Sequence, residues 1–428
     1  MTVIINGRLI VPNEHDVFMV EDHKALIFRE DTGKIESIVP EGQMTTGALR
    51  AMDNVIDAEG GYVSPGFINV HIHGAMGCDT MDATPEALET ISRHQATTGV
   101  TSILPTTMTY DFYHINRALD NVREVMEREL DGAAVIGANM EGPFISRERC
   151  GAQKVDFVQP PDWSKVEPYK DVIRLLTLAP EELHGDYSFV DKCNKAGIVV
   201  SMGHSTADYN LARRAILQYG ITHLTHIFNG MAPFHHRTPG LVGAALDTDS
   251  DCEMICDNVH LHSVTQRLIW RMKQGRQIIL VTDSIRATGL PDGESELGGQ
   301  KVYVKGQCAD YGQSDCQFHR QYRLRHCGGG GVCHQNPGSE SRYLRTLRLS
   351  DSRQAGGYYH LQKCSRDTDD HSKGKDCIYK IVKFLLLFNK IVAKMIPDKI
   401  KCDDQVSSLW ELSSSEPVRV GVRRKRQR

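Results

Sequence analysis

The sequence lacks the long apolar runs of a membrane protein. No stretch approaches the 18 or more apolar residues of a membrane-spanning helix. Residues 1–10 contain no basic region followed by a long apolar core, so we expect no secretory signal and a cytoplasmic location. Aromatic residues make up only 7% of the 428 residues, whereas hydrophobic residues make up 40%. This balance is typical of a globular protein with a large core.

Cysteine is scarce in most of the chain. Residues 1–307 contain five of the 12 cysteines and carry 27 lysines and arginines against 41 aspartates and glutamates. Residues 308–428 contain the other seven cysteines and carry 23 basic against 13 acidic residues. The net charge of −4 therefore combines an acidic body with a basic, cysteine-rich tail. Such asymmetry is typical of separate modules or of a tail with its own partner.

The first 60 residues predict a small β domain made of N-terminal strands. Residues 2–5 and 8–11 are rich in β-branched and aliphatic side chains, and Asn6-Gly7 between them is a hairpin signal. From residue 61 the pattern changes to strands that alternate with helices, for example a helix over 85–97 after the strand at 67–73. Repeated β–α units predict a parallel sheet, and eight of them close a (β/α)8 barrel.

Two histidines end the first strand of this region. Side chains alternate along a strand, so His71 and His73 point the same way and lie roughly 6–7 Å apart along it. Two imidazoles in this arrangement can share a metal centre. A His-x-His pair also occurs without any function, and further residues are needed to decide between the two interpretations.

Polar residues of the metal-binding and acid/base types recur at the ends of the predicted strands. In a barrel these ends meet on one face, where active sites lie. A single strand-end histidine is usually a satisfied core residue, and a single aspartate is usually a helix cap. The set as a whole favours a metal site, and oxygen and imidazole ligands without cysteine suit Zn²⁺, Fe²⁺ or Mn²⁺ in a hydrolytic centre. Its members are His71, His73, Glu141, His204, His226 and Asp283.

Several segments together resemble one family. They are residues 65–74, 141–146, 203–205, 225–231, 235–244, 281–284 and 289–293. Over about residues 1–306 the chain resembles the N-acetylglucosamine-6-phosphate deacetylases of the amidohydrolase superfamily. The resemblance implies a (β/α)8 barrel of the metal-dependent hydrolase kind over 61–306, with a small β-sandwich domain. It also implies hydrolysis of N-acetylglucosamine 6-phosphate to glucosamine 6-phosphate and acetate, in amino-sugar catabolism.

The same resemblance implies a ligand set. One divalent ion would be held by Glu141, His204 and His226. A second would be held by His71 and His73, with Glu141 bridging the two. The resemblance therefore implies one or two ions per subunit, zinc or iron, and Asp283 as the catalytic acid/base.

The substrate-binding residues are also implied by the resemblance. The phosphate would be bound by Arg237 and His260, one of them supplied by the neighbouring subunit of a homodimer. The partner is thus a small phosphosugar, and we expect neither nucleic acid nor a membrane. The sugar and its amide would be contacted by Ala152, Gln153, Asn229 and Gly230.

The family pattern stops after residue 306. The chain then loses its hydrophobic periodicity and gains cysteine, histidine and arginine, which favours an altered reading frame from about residue 307, an incomplete barrel, and an aberrant or disordered C-terminal part. Three other interpretations of residues 307–428 are open. They are a zinc module at Cys316, Cys327, Cys333 and His334, a membrane-surface helix over 378–396, and a nucleic-acid or nuclear-localisation patch at 423–426.

Two rivals to the deacetylase prediction are also open. The chain could be another amidohydrolase, such as a cyclic amidase or a deaminase. Arg237 and His260 separate these possibilities, because only a phosphosugar enzyme needs both. The chain could instead be an inactive product, because the strands that complete the β domain are lost.

Overall fold

The computed structural model describes residues 1–12, 18–275, 277–305, 308–310 and 346–349. The altered reading frame, the zinc module, the membrane-surface helix and the basic patch predicted for the tail lie outside the described residues. No helix in the described ranges is long and apolar enough to cross a membrane.

The N-terminal residues form a mixed sheet. Its strands are β1 (Thr2–Pro12), β2 (Phe18–Arg29), β3 (Lys34–Pro40), β4 (Asn54–Asp57) and β5 (Tyr62–Pro65), and helix α1 (Thr46–Arg50) precedes β4. β1 is central, because it pairs antiparallel with β2 and parallel with both β4 and β5. Leu9, Phe28 and Val63 are buried in the core of this sheet. The small β domain thus reaches Pro65 in the structure.

The predicted hairpin at Asn6-Gly7 is wrong. β1 runs through both residues, and its pairing with β2 shifts register between Ile4 and Gly7 and again between Gly7 and Leu9. Asn6 has a φ of 55°, in the left-handed region. A residue pair that suits a tight turn also suits a bulge, which bends a strand without reversing it. Pairing with neighbours on both sides of β1 keeps the strand continuous.

Eight parallel strands form the barrel. In chain order the strands of this region are β6 (Phe67–Ile72), β7 (Gly74–Ala75), β8 (Cys78–Asp79), β9 (Val100–Thr107), β10 (Ala134–Val135), β11 (Ala138–Glu141), β12 (Ile173–Leu178), β13 (Val199–Met202), β14 (His223–Leu224), β15 (Asp251–Ile255) and β16 (Ile278–Val281). The ring runs β6, β9 and then β11 to β16, with every neighbouring pair parallel. It closes where Ile72 bridges Ser284, beside β16. The predicted (β/α)8 architecture is confirmed, and the expectation of an incomplete barrel is wrong for the strands, because all eight lie within the described residues and the ring closes.

One buried apolar cluster joins strands from opposite sides of the ring. Because only the interior of a closed ring touches both sides, this cluster fills the barrel, as is usual for the fold. Its members are Val70, Leu104, Leu175, Ile255, Ile279 and Val281.

The barrel helices lie outside the ring. They are α2 (Pro85–Thr97), α3 (Phe112–Met126), α4 (Trp163–Val166), α5 (Ser188–Lys195), α6 (Tyr209–Tyr219), α7 (Gly240–Asp247) and α8 (Ser263–Met272). α2 has the predicted bounds and begins at Thr84, whose hydroxyl accepts a hydrogen bond from the Ala87 N–H. The sequence did not predict α7, because the glycines and prolines of 235–244 favour a loop.

After β16, a hairpin is extended by a third antiparallel strand into a small sheet. Its strands are β17 (Gly293–Leu297), β18 (Gln300–Lys305) and β19 (Cys308–Asp310). Leu297 and Val302 pack with Met108 from the loop after β9. The hairpin thus lies over the carboxyl ends of the barrel strands. A last strand, β20 (Thr346–Leu349), pairs parallel with β5 of the N-terminal sheet.

Candidate metal centre

The carboxylate of Glu141 lies at the centre of the barrel mouth. Glu141 ends β11 and is only 1% exposed. Four imidazole nitrogens surround it. The Nε2 atoms of His226, His204 and His71 lie 3.0, 3.2 and 3.5 Å from Glu141 Oε1, and that of His73 lies 3.1 Å from Oε2. The structure therefore brings together all five predicted ligands, in two groups that share Glu141.

The donor atoms of this cluster fit a bound cation. Nε2 of His204 and Nε2 of His226 lie 3.1 Å apart and both face Glu141 Oε1. Nε2 of His71 is buried and makes no hydrogen bond. Buried polar atoms normally find partners. Several lone-pair donors that point at one place are the arrangement that a divalent ion satisfies.

In each imidazole, the hydrogen bond made by Nδ1 determines which ring nitrogen carries the proton. A ring that donates Nδ1–H to an acceptor has a free lone pair on Nε2, as a metal ligand requires. Three rings meet this condition. The Nδ1 contacts are His71 to Glu253 Oε2 at 2.8 Å, His73 to the Thr106 carbonyl at 3.2 Å and His204 to the Arg149 carbonyl at 2.8 Å.

Three of the site residues have a strained backbone. His204, His226 and Asp283 have φ values of 46°, 25° and 48°, in the left-handed region that residues other than glycine rarely adopt. Strain of this kind persists only where surrounding contacts impose it, and it concentrates at functional sites. Each residue lies two positions after the last residue of its strand, so the strained backbone occurs where the chain leaves the barrel mouth.

Asp283 faces the two histidines of the first strand. Its Oδ1 lies 3.3 Å from Nε2 of both His71 and His73, and its side chain is 19% exposed. Burial raises the pKa of Asp283, but His71 and His73 outweigh burial and hold the pKa well below its usual value. The carboxylate is therefore ionised and is open to solvent on one side.

The carboxylates and imidazoles of the cluster shift one another's pKa values toward the charged forms. Burial would raise the pKa of Glu141, but the surrounding imidazoles hold it well below its usual range. Burial would lower the pKa of His73, but Asp283 and Glu141 raise it to about 9. Burial would also lower the pKa of His71, but Asp283, Glu253 and Glu141 raise it well above its usual value. The carboxylates thus favour positive charge at this place.

Gln153 supports Glu141 directly. Its Nε2 donates a hydrogen bond of 2.6 Å to Glu141 Oε2, and its Oε1 accepts one of 2.6 Å from the Thr109 N–H. The amide expected to contact the substrate thus already has partners on both sides. The neighbouring Ala152 carbonyl accepts a hydrogen bond from Gln300 in the hairpin at 2.8 Å.

Asn229 and Gly230 lie in the turn after His226. The Asn229 side chain donates to the His226 carbonyl at 3.3 Å and is partly buried. Gly230 has a φ of 59°, and a Cβ there would lie 2.8 Å from Nδ1 of His204. The turn therefore packs directly against one of the proposed ligands.

Arg237 and His260 lie at the exposed rim. The Arg237 guanidinium donates to Nε2 of His236 at 3.1 Å. His260 pairs with Asp257 at 2.6 Å and has a side chain that is 40% exposed. Burial lowers the pKa of His260, but Asp257 and, from across the mouth, Asp283 raise it. The described hydrogen bonds of Arg237 and His260 are thus local to their own loops, and the effect of Asp283 on the pKa of His260 links that residue to the site.

Sequence analysis missed Glu253. This residue is fully buried within β15 and contacts both His71 and the backbone N–H of His226. It was missed because it lies inside a strand and not at its end. The available signal was a carboxylate between Cys252 and Met254 in an otherwise apolar strand.

Comparisons with known proteins agree with this geometry. The model of the amidohydrolase family matches residues 62–299. The N-acetylglucosamine-6-phosphate deacetylase of Lysinibacillus sphaericus is 40% identical over 254 residues, which are 58% of this chain and 65% of that protein. The chain therefore spans just under two thirds of the length of this curated relative.

Two solved structures share the fold. The N-acetylglucosamine-6-phosphate deacetylase from Pasteurella multocida superposes with a TM-score of 0.64 at 28% identity, covering 71% of this chain and 77% of that one. A mutant of the Mycobacterium smegmatis enzyme in complex with N-acetyl-D-glucosamine-6-phosphate gives a TM-score of 0.60 at 26% identity, covering 73% and 78%. The barrel, the histidine–carboxylate cluster at its mouth and the matching family model lead to one conclusion: the chain belongs to the amidohydrolase family.

Proposed function

We propose that this chain is a metal-dependent hydrolase that removes the acetyl group from N-acetylglucosamine 6-phosphate. The products are glucosamine 6-phosphate and acetate, as in amino-sugar catabolism. The observation that carries the proposal is the arrangement of four imidazole nitrogens around Glu141, with the ionised Asp283 beside them. The deacetylases similar to this chain supply the substrate class.

The five clustered residues hold the metal. Glu141, His204 and His226 form the principal site, and His71 and His73 share Glu141 with it to form a second site. A bound divalent ion supplies Lewis acidity, which lowers the pKa of water and polarises the amide carbonyl. Zinc or iron suits this nitrogen and oxygen ligand set.

Asp283 is the general base and then the general acid of the proposed reaction. Its carboxylate is ionised, so it accepts a proton from the attacking water and then delivers that proton to the departing amine. One group is sufficient for both steps, because the base of the first step is the acid of the second. Its Oδ1 lies 3.3 Å from Nε2 of both His71 and His73, so the carboxylate lies directly beside the proposed metal ligands.

The rim binds the phosphosugar. Arg237 offers a planar, permanently charged fork that suits a phosphate, and the imidazole of His260 adds a second donor. A homodimer in which one of the two comes from the neighbouring subunit accounts for the position of Arg237 outside the cluster. The sugar is contacted by Gln153, Asn229 and Gly230, which touch proposed metal ligands, and by Ala152 next to Gln153. The homodimer and the cytoplasmic location stay predictions.

The test measures acetate release by the purified, metal-loaded full chain. We expect release from N-acetylglucosamine 6-phosphate and much less from N-acetylglucosamine, because only the phosphate engages Arg237 and His260. Asp283→Asn should abolish release while metal is still bound. Asp156→Asn, at an exposed aspartate, is the matched control and should leave release unchanged.

Three results would contradict the proposal or one of its parts. Undiminished release by Asp283→Asn would remove Asp283 from the reaction. A full chain without a cooperative melt and without bound metal would instead identify an inactive product. Preference for a cyclic amide or an aminopurine would favour one of the other amidohydrolase reactions.

A further inference from the structure

The side chain of Glu253 connects the two halves of the metal centre. Glu253 is 0% exposed in the middle of β15. Its Oε2 lies 2.8 Å from Nδ1 of His71 and accepts a hydrogen bond of 3.1 Å from the backbone N–H of His226. Both contacts therefore end on proposed metal ligands, one from each site.

The partners of Glu253 distinguish it from a carboxylate that only stabilises the fold. A structural carboxylate buried at this depth would use both oxygens, since an unmet acceptor is costly. Oε1 of Glu253 makes no hydrogen bond, and Nε2 of His223, whose pKa is lowered by burial, lies 3.7 Å away. The contacts that hold Glu253 are thus concentrated on the oxygen that faces the metal ligands.

His71 differs from the other ligands in what holds its ring. Nδ1 of His73 and Nδ1 of His204 face neutral backbone carbonyls, those of Thr106 and Arg149. Among the four proposed histidine ligands, only His71 donates Nδ1–H to a carboxylate. A carboxylate partner fixes the tautomer with the lone pair on Nε2, holds the ring in place and makes Nε2 a stronger ligand.

We propose that Glu253 is a positioning residue that acts through His71 and determines whether the second metal site fills. Without its charge, His71 is a weaker ligand, and the site made of His71, His73 and Glu141 loses affinity. The site of Glu141, His204 and His226 keeps its side-chain ligands. The inference rests on the metal centre of the proposed function and not on its substrate.

The experiment compares metal binding by the full-length chain and by Glu253→Gln. Gln keeps the shape and an acceptor oxygen but removes the charge. Bound metal is counted by elemental analysis after dialysis against graded chelator, and Co²⁺ absorption reports the geometry of each site. We expect two equivalents in the unmodified chain, with the second held about 10–100-fold more weakly in the variant. The first equivalent should be unchanged.

A double-mutant cycle identifies the route of the effect. His71→Ala removes the ligand and should leave one equivalent. Glu253→Gln added to His71→Ala should change nothing further in metal content, because its target is already absent. An additional loss of the first equivalent would show that Glu253 acts through His226 and would overturn the proposal.

Three further outcomes reject the inference. One is an unmodified chain that binds a single equivalent at saturating metal. Another is Glu253→Gln with both affinities unchanged. The third is a Glu253→Gln variant that does not melt cooperatively while His71→Ala does, since Glu253 would then be a structural residue. A chain that binds two metals but releases no acetate would contradict the proposed substrate and leave this inference intact.

Discussion

Buried polar groups have different kinds of partner at the two ends of the barrel. At the end opposite the site, the Lys273 ammonium is only 4% exposed and donates to the Thr248 carbonyl at 2.8 Å, the Ser250 carbonyl at 2.7 Å and the Ser250 hydroxyl at 3.3 Å. At the mouth, Nε2 of His204 and Nε2 of His226 face each other at 3.1 Å. At the end opposite the site, the ammonium donates to acceptors of the protein itself. At the mouth, imidazole lone pairs point at one place.

The polar groups opposite the site stabilise the fold, whereas those at the mouth are arranged for binding. A buried cation with three acceptors stabilises the fold and has no capacity left for a ligand. Convergent lone pairs and strained backbones at His204 and His226 leave that capacity for a cation, at some expense in stability. Four substitutions at the two ends test this contrast, in decreasing order of predicted effect.

Glu141→Gln should have the largest effect. It removes the charge that both metal groups share, so both equivalents of metal should be lost. Acetate release should fall at least ~100-fold, since losing even an outer partner of a ligand costs about 10–100-fold. Elemental analysis and acetate release are the measurements, and exposed Glu148→Gln is the matched control. Full metal retention in Glu141→Gln would contradict the assignment of Glu141 as the shared ligand.

Lys273→Met should act on stability alone. It leaves the Thr248 and Ser250 carbonyls without their donor inside the protein, and each unmet acceptor costs about 1–3 kcal/mol. We therefore expect the free energy of unfolding to fall by about 2–4 kcal/mol in denaturant titrations. Metal content should stay the same. A loss of metal in this variant would show that the two ends are coupled.

Gln153→Leu should give a smaller effect at the mouth. Glu141 Oε2 loses its 2.6 Å hydrogen bond, so the carboxylate is less well fixed. We expect about 10-fold weaker metal retention against a chelator, which corresponds to a single hydrogen bond to a charged group. Gln218→Leu, at an exposed position of α6, serves as the control. Unchanged retention would mean that Gln153 is free to serve the substrate, as the family resemblance implies.

Leu268→Ser should have the smallest effect. Leu268 is 53% exposed on α8, the helix that ends next to Lys273. A change at an exposed position is expected to alter the free energy of unfolding by no more than about 0.5 kcal/mol. Thermal melts of Leu268→Ser and Lys273→Met, compared with each other, will then show whether the large loss in the free energy of unfolding comes from the buried ammonium. A comparable loss in both variants would assign it to α8 as a whole.

Local sequence patterns were enough to predict the barrel and the six side chains that cluster at its mouth. Strand–helix alternation is a local pattern, and the end of a strand can be recognised without knowing its neighbours. All parallel strands deliver their carboxyl ends to one face, so the strand pattern alone groups His71, His73, Glu141, His204, His226 and Asp283. The roles of Arg237 and His260 came only from the family resemblance.

Which atoms contact one another depends on the three-dimensional fold. Glu253 and His71 are 182 residues apart, and nothing in the local pattern of β15 indicates that the side chain of Glu253 reaches a ring from β6. The continuous β1 through Asn6 likewise depends on strands that pair with it from both sides. Periodicity reports which face a side chain occupies. Hydrogen-bond partners and strand register depend on what lies across space, and they are fixed only when the ring closes at Ile72 and Ser284.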